Sequence, residues 1–80
     1  MEIGMKKANI KLSTIEDVRS FVNIVTGYSS DIDLSSGRYI VDAKSIMGIF
    51  SLDLMNPIEL TAHGDDADAL FKEIEKFIVE

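Results

Sequence analysis

The chain has 80 residues, a formal net charge of −6 and no cysteine, and 46% of its residues are hydrophobic. These values predict a single small globular domain over residues 1–80, exclude a disulfide framework or a thiolate metal site, and disfavour nucleic acid as a partner. No apolar run approaches the roughly 18 residues that span a membrane, and the start lacks the apolar core of a secretory signal, so we expect a cytoplasmic protein.

The beginning of the chain predicts a strand followed by a helix. Residues 5–12 alternate between apolar and polar side chains, which is typical of a half-buried strand. Ser13, followed three residues later by Glu16, fits a capping box, and Asp17 adds negative charge to the first helical turn. The helix is expected to end at Gly27. Its apolar stripe recurs at helical spacing from Ile15 through Val18, Val22 and Val25.

The middle of the chain predicts a β-hairpin and a short helix. Residues 31–34 and 39–41 read as strands joined by the turn-forming sequence of residues 35–38. Ser45 can cap a helix over residues 45–52, because its hydroxyl oxygen can accept a free N–H of the first turn. The helix is too short to bury all its apolar side chains, so we expect some in the core and some exposed: Ile46, Met47, Ile49, Phe50 and Leu52.

The rest of the chain predicts a fourth strand and an amphipathic helix. Residues 58–63 alternate in polarity after the break at Pro57. Residues 64–66 are expected to turn and cap a helix whose apolar residues are Ala67, Leu70, Phe71, Ile74, Phe77 and Ile78. The predicted order β-α-β-β-α-β-α indicates an α+β fold: a four-stranded, mostly antiparallel, open-faced sheet with three helices on one face.

Three stretches carry a family resemblance that spans nearly the whole chain. They are Ser30-Asp31-Ile32, the run from Lys44 to Leu52, and the acidic, alanine-bearing residues 65–69. Together they resemble HPr, the small phosphocarrier of the bacterial sugar phosphotransferase system. The resemblance implies an HPr-like open-faced β-sandwich. The short middle helix and the extra terminal helix favour this plan over the ferredoxin-like βαββαβ plan.

The chain departs from the HPr pattern at the phosphorylation site. Counted back from Ser30-Asp31-Ile32, the family's phosphohistidine position falls at Thr14, its arginine at Glu16 and its proline at Asp17. Two carboxylates then stand where a phosphoryl group needs cations. We therefore predict no phosphate transfer on a histidine and no catalytic residues, and we interpret the single histidine, His63, as a surface loop residue.

The resemblance also implies regulatory and docking positions. Ser45 matches the serine that a dedicated kinase phosphorylates in many HPr proteins, and it is the candidate for regulatory phosphorylation. Ile46, Met47 and Phe50 match the exposed apolar positions through which HPr-type proteins dock on partners. The implied partners are phosphotransferase-system enzymes, an HPr kinase or a transcriptional regulator, with no nucleic acid and no membrane. No cofactor and no metal ion are predicted.

Two kinds of function remain open beside the leading one. The leading hypothesis is a regulatory or protein-interaction HPr paralogue, similar to the catabolite repression HPr, and not an enzyme. An alternative is a phosphotransferase component that uses another acceptor, Thr14 or Ser45. A further alternative is a small ferredoxin-like regulatory domain that binds a small molecule.

Overall fold

The computed structural model of the protein describes residues 5–79. These residues form five strands, three α-helices and one short 3-10 helix. The strands are β1 (Met5–Ile10), β2 (Asp31–Ser36), β3 (Tyr39–Asp42), β4 (Ile58–His63) and β5 (Ile78–Val79). The helices are α1 (Ile15–Val25), α2 (Ile46–Phe50), α3 (Ala67–Glu73) and the 3-10 helix Glu75–Phe77. None of the helices in this part of the chain is long and apolar enough to cross a membrane.

All strands belong to one antiparallel sheet with the order β3-β2-β4-β1-β5. The predicted hairpin is present: Ser36 pairs with Tyr39 across the two-residue turn Gly37-Arg38. Gly37 has a φ of 59°, which a residue without a Cβ adopts at little cost and which two-residue hairpin turns require. The long pairings of β4 with β1 and β2 make β4 the centre of the sheet.

The core lies between the sheet and the helices, on one face only. Ile32 and Leu34 of β2 and alternate residues of β4 are buried, while the other residues of these two strands are exposed or half-buried. The helices complete this core from the other side, because each presents a single apolar stripe to the sheet. The main contributors are Ile10, Ile32, Leu34, Ile58, Leu60 and Ala62 from strands, and Val18, Phe21, Val25, Ile49 and Leu70 from helices.

The predicted terminal helix is wrong beyond Glu73. The backbone of Ile74 leaves the helical region (φ −96°, ψ 12°), a 3-10 turn follows, and Ile78 and Val79 pair with β1 as a fifth strand. Phe77 is buried edge-to-face against Phe21, at 5.9 Å between ring centroids, and its carbonyl accepts the N–H of Lys11 at 2.8 Å. Apolar spacing alone favoured a helix here, but the β-branched Ile78 and Val79 find their partner at the open edge of β1.

The turn before α3 is also built differently from the expectation. Asp66 stands at the helix start but makes no side-chain cap bond to it. Its carboxylate instead accepts the N–H groups of Ser29 (2.8 Å) and Ser30 (3.1 Å) and both serine hydroxyls. These bonds, first among them the one from the Ser30 hydroxyl, lower the pKa of Asp66 to about 2. The carboxylate therefore ties the entry of β2 to the start of α3.

Candidate interaction site

The start of α1 is closed by its own side chains. Thr14 is the N-cap, and its Oγ1 accepts the N–H of Asp17 at 3.0 Å. The Asp17 carboxylate in turn accepts the N–H of Ser13 at 3.1 Å. The capping box predicted at Ser13 and Glu16 is therefore not formed: Thr14 is the N-cap, and Asp17 bonds the N–H of Ser13, the residue before the cap. An N-cap side chain bonds the N–H of the second or third helical residue. The helix begins at Ile15, so its third N–H belongs to Asp17, which is three residues from Thr14 but four from Ser13.

This closure determines what the helix end can bind. An anion at a helix N-terminus is held by free N–H groups and by the positive end of the helix dipole. Here the Thr14 hydroxyl occupies one of those N–H groups, and the carboxylates of Glu16 and Asp17 already supply negative charge in the first turn. A phosphoryl group at this end would meet like charge at close range.

His63 lies far from that helix end in the fold. It is the last residue of β4, opposite Asp31 of β2 and Met5 of β1, and it is exposed. The buried residues of β4 alternate with it, so it stands on the open face of the sheet while α1 packs on the covered face. Beside it is a shallow cavity of about 320 Å³ lined by Asp31, Ile32, Asp33, Asp42, Lys44 and His63. Residues 5–79 contain no group of three or more potential ligands that could hold a metal ion.

The short helix α2 is anchored at its start, as the sequence predicts. Ser45 is the N-cap, with its Oγ accepting the N–H of Gly48 at 3.2 Å. The Lys44 ammonium donates to the carbonyl of Tyr28 at 2.8 Å, and the Lys44 N–H donates to the Asp42 carboxylate, also at 2.8 Å. These bonds fix α2 between the end of β3 and the loop that leads into β2.

The side chains of α2 divide between core and solvent. Ile49 is fully buried and Leu52 is 6% exposed, so these two residues face the core. Met47 is 77% exposed and Phe50 is 43% exposed, whereas Ile46 is half-buried and packs against the core. Met47 and Phe50 are therefore free to contact another molecule, and Ile46 offers only part of its side chain.

Two further apolar residues are exposed, one in α1 and one in the loop after α2. Ile15, in the first turn of α1, is 63% exposed, and Met55, in the loop after α2, is 82% exposed. The Lys11 ammonium, just before α1, donates to the carbonyls of Leu54 (3.2 Å) and Met55 (2.8 Å), which holds this loop beside the end of β1. α2 also packs against α1, so α1, α2 and the loop after α2 are neighbours in the fold. We call Ile15, Met47, Phe50 and Met55 the apolar surface.

Two of the four residues of the apolar surface, Met47 and Phe50, were predicted from the sequence. Ile15 was placed in the apolar stripe of α1, yet as the first helical residue it is 63% exposed. Met55 carried no signal of its own, because a loop residue has no periodicity from which exposure can be inferred. Lys11 was one polar position in a strand pattern, and its two carbonyl partners lie 43 and 44 residues away.

Comparisons with known proteins agree with this architecture. A family model described as "PTS HPr component phosphorylation site" matches residues 18–80, so the match begins after Thr14, Glu16 and Asp17. The crystal structure of HPr-C-His from Thermoanaerobacter tengcongensis is 32% identical with a TM-score of 0.77, covering 92% of this chain and 89% of that one. The phosphocarrier HPr of Bacillus anthracis is 26% identical with a TM-score of 0.73, covering 94% and 95%.

A third similar structure is that of Crh, the catabolite repression containing protein of Bacillus subtilis. It is 23% identical with a TM-score of 0.65, covering 100% of this chain and 94% of that one, and this likeness supports the fold alone. The family match covers well over half of the chain and agrees with the Lys44–Leu52 motif, the strand order and the capped α2. The chain therefore belongs to the HPr family, whose members are phosphocarriers of the bacterial sugar phosphotransferase system rather than enzymes proper.

Proposed function

We propose that this HPr-family protein works by binding other proteins and does not carry phosphate on a histidine. Its working surface is the exposed side of α2, formed by Met47 and Phe50 with the half-buried Ile46. The role is regulatory, and we place it in the cytoplasm, as the HPr resemblance implies. No enzyme activity is part of this proposal.

The observation that carries the proposal is the closed start of α1. The Thr14 hydroxyl accepts the N–H of Asp17, and the Asp17 carboxylate accepts the N–H of Ser13. These backbone N–H groups therefore already have hydrogen-bond partners within the chain. Glu16 adds a second carboxylate in the same turn. The one histidine, His63, stands on the opposite face of the sheet. A histidine acceptor at a helix N-terminus, the arrangement that the family resemblance implies, is thus absent from residues 5–79 and replaced by repulsive charge.

The apolar surface supplies a binding mode. Exposed methionine and phenylalanine side chains adapt to a partner and bury large apolar area, which favours them at protein interfaces. Glu16 and Asp17 follow Ile15 in the first turn of α1, and Asp53 stands two residues before Met55 in the loop after α2. A partner should therefore present an apolar pocket with a basic rim, because opposite charges at the rim steer association.

The binding experiment compares two charge substitutions at similar exposure. Met47→Asp places a carboxylate in the apolar surface, and Ile40→Asp, 69% exposed on β3, is the matched control. The probe is the first enzyme of the phosphotransferase system, titrated into isotope-labelled protein while backbone NMR signals are followed. We expect the signals of α2 to shift and Met47→Asp to weaken binding at least about tenfold. Binding that is unaffected by Met47→Asp, or absent at about 1 mM, would refute this docking surface.

Ser45 is a second candidate site, for regulatory phosphorylation. Its hydroxyl is exposed and caps α2 through Gly48, so a phosphate there would lie at a helix start that contains no acidic residue in its first turn. Incubation with an HPr kinase and ATP, followed by intact-mass measurement, should add one phosphoryl group to the wild type and none to Ser45→Ala. An unchanged wild-type mass would remove Ser45 from the proposal and leave the docking surface standing.

A further inference from the structure

The strand β3 forms an uncovered edge of the sheet. It is the first strand in the order β3-β2-β4-β1-β5, and within residues 5–79 no strand pairs with its outer side. Tyr39 and Ile40 are each 69% exposed, on opposite faces of this edge. Natural edge strands are usually protected by proline, lysine, a bulge or a covering loop, because they can pair with another chain. β3 contains neither proline nor lysine.

The direction of the backbone groups shows which residues could pair outward. The N–H of Ala43 donates to the carbonyl of Ile32 at 2.9 Å, so Ala43 points toward β2. Residues of an antiparallel strand point alternately toward and away from a given neighbour. The backbone N–H groups of Val41 and Tyr39 therefore also point toward β2, and those of Ile40 and Asp42 point away from the sheet.

The sequence of this edge is complementary to itself. If two copies run antiparallel about a two-fold axis at Ile40, Ile40 faces Ile40 and Tyr39 faces Val41 of the second copy. In the same register, Arg38 faces Asp42 at both ends of the pairing. Asp42 Oδ1 already accepts the N–H of Lys44 at 2.8 Å, and its other carboxylate oxygen remains for the guanidinium. Opposite charges directly across a strand pair are stabilising, and like charges are not.

We propose that β3 pairs with β3 of a second copy of this chain, which joins two five-stranded sheets into one. The partner is a second copy rather than an arbitrary extended peptide, because the pairing of Arg38 with Asp42 and of Ile40 with itself is satisfied by this same sequence. The contact is isologous and closes after two copies. It involves about five residues of each chain and belongs to the small, transient class of interfaces, so the dimer forms at high protein concentration.

The first test exchanges the two charges. Sedimentation velocity from about 10 µM to about 1 mM should show wild-type protein passing from monomer to dimer. Arg38→Asp places aspartate opposite Asp42 and should weaken the dimer at least about tenfold. The double variant R38D/D42R restores opposite charges and should recover the dimer. A wild type that stays monomeric at about 1 mM, or a dimer indifferent to Arg38→Asp, would overturn the proposal.

The second test does not depend on the folding of the charge variants. The chain has no cysteine, so Ile40→Cys introduces a single thiol at the two-fold axis, where paired Cα atoms of about 5.5 Å separation permit a disulfide. Met55→Cys, at the more exposed Met55, is the control. Under mild oxidation I40C should form a covalent dimer several-fold faster than M55C. Equal rates would overturn the proposal. In the sedimentation experiment, a wild-type dimer that survives dilution would also overturn it, because exchange of whole strands rather than edge pairing would explain that dimer.

Discussion

Thr14 and Asp17 form hydrogen bonds with the backbone at the start of α1, and these bonds are the main support for the proposal that the chain does not carry phosphate on a histidine. The family resemblance places the phosphohistidine position at Thr14, whose hydroxyl accepts a helix N–H. The carboxylates of Glu16 and Asp17 suit the helix dipole but oppose an anionic ligand. The residues that suit the start of the helix would therefore oppose the binding of an anion there.

The cap can be tested by truncation. Thr14→Ala removes the acceptor of the Asp17 N–H and should lower the free energy of unfolding by about 1 kcal/mol, which is about 4–8 °C in Tm for a domain of this size. Thr14→Ser keeps an acceptor and should retain most of the stability. Urea denaturation of both variants gives the comparison. Equal stability of Thr14→Ala and wild type would mean that the cap contributes nothing.

Asp66 should make the protein sensitive to acid in a defined window. Its pKa is lowered to about 2 by the bonds from Ser30 and Ser29, so the folded state favours the ionised carboxylate. A group whose pKa is depressed on folding contributes stability above its unfolded pKa of about 4, and this contribution is lost as the pH falls toward 2.

The matched variants are Asp66→Asn and Asp65→Asn. The stability difference between wild type and Asp66→Asn should be largest at pH 5 and above and should shrink between about pH 4 and pH 2. Asp65→Asn changes an exposed neighbour and should follow the wild-type curve. Chemical denaturation at a series of pH values provides the measurement. A difference that stays constant down to pH 2 would contradict the role given to Asp66.

At the scale of elements, the turn from β4 into α3 depends on one glycine. Gly64 has a φ of 154°, and a Cβ there would lie 2.3 Å from the Ser30 hydroxyl oxygen and 2.8 Å from the Ser30 Cα. Gly64→Ala should therefore cost roughly 1–3 kcal/mol or more. Gly27→Ala is the control, since its Cβ would meet only the Ile24 carbonyl at 3.4 Å. Thermal melts that show equal losses for the two variants would contradict this account.

The elements predicted correctly from the sequence are those marked by a short local pattern of residues. The alternation in β4 and the cap at Ser45 were both correct, because each depends on residues close together in the chain. The end of α3 and the strand β5 were missed, because Ile78 and Val79 are placed by pairing with β1, nearly 70 residues earlier. Long-range contacts of this kind leave no local periodicity to detect.

The candidate site shows the same difference between features set by local sequence and features set by long-range contacts. Exposure of Met47 and Phe50 was predicted, since five apolar residues on so short a helix cannot all be buried. Whether Ile15 and Met55 belong to the apolar surface depends on how α1, α2 and the loop after α2 pack together. That packing rests on contacts between residues far apart in the chain, which a local sequence pattern does not reveal. The N-cap was predicted at Ser13 and lies at Thr14, an error within the usual uncertainty of helix ends.

At the scale of the whole molecule, the apolar surface and the edge strand β3 lie on different parts of the fold. The helices cover one face and bury the core, and the apolar surface lies where α1, α2 and the following loop meet. The open face of the sheet is polar and carries Asp31, Asp33 and His63, and its uncovered edge is β3. Docking through the apolar surface and self-pairing through β3 use different residues, so each can be removed without the other.

The measurement that tests the central claim most directly is phosphoryl transfer followed by intact mass. The protein is incubated with phosphoenolpyruvate and the first enzyme of the phosphotransferase system, beside a histidine-bearing HPr as positive control. We predict that the control gains the mass of one phosphoryl group and that this chain gains none. A stoichiometric gain by this chain would contradict the account, and Thr14→Ala and Ser45→Ala would then identify the acceptor.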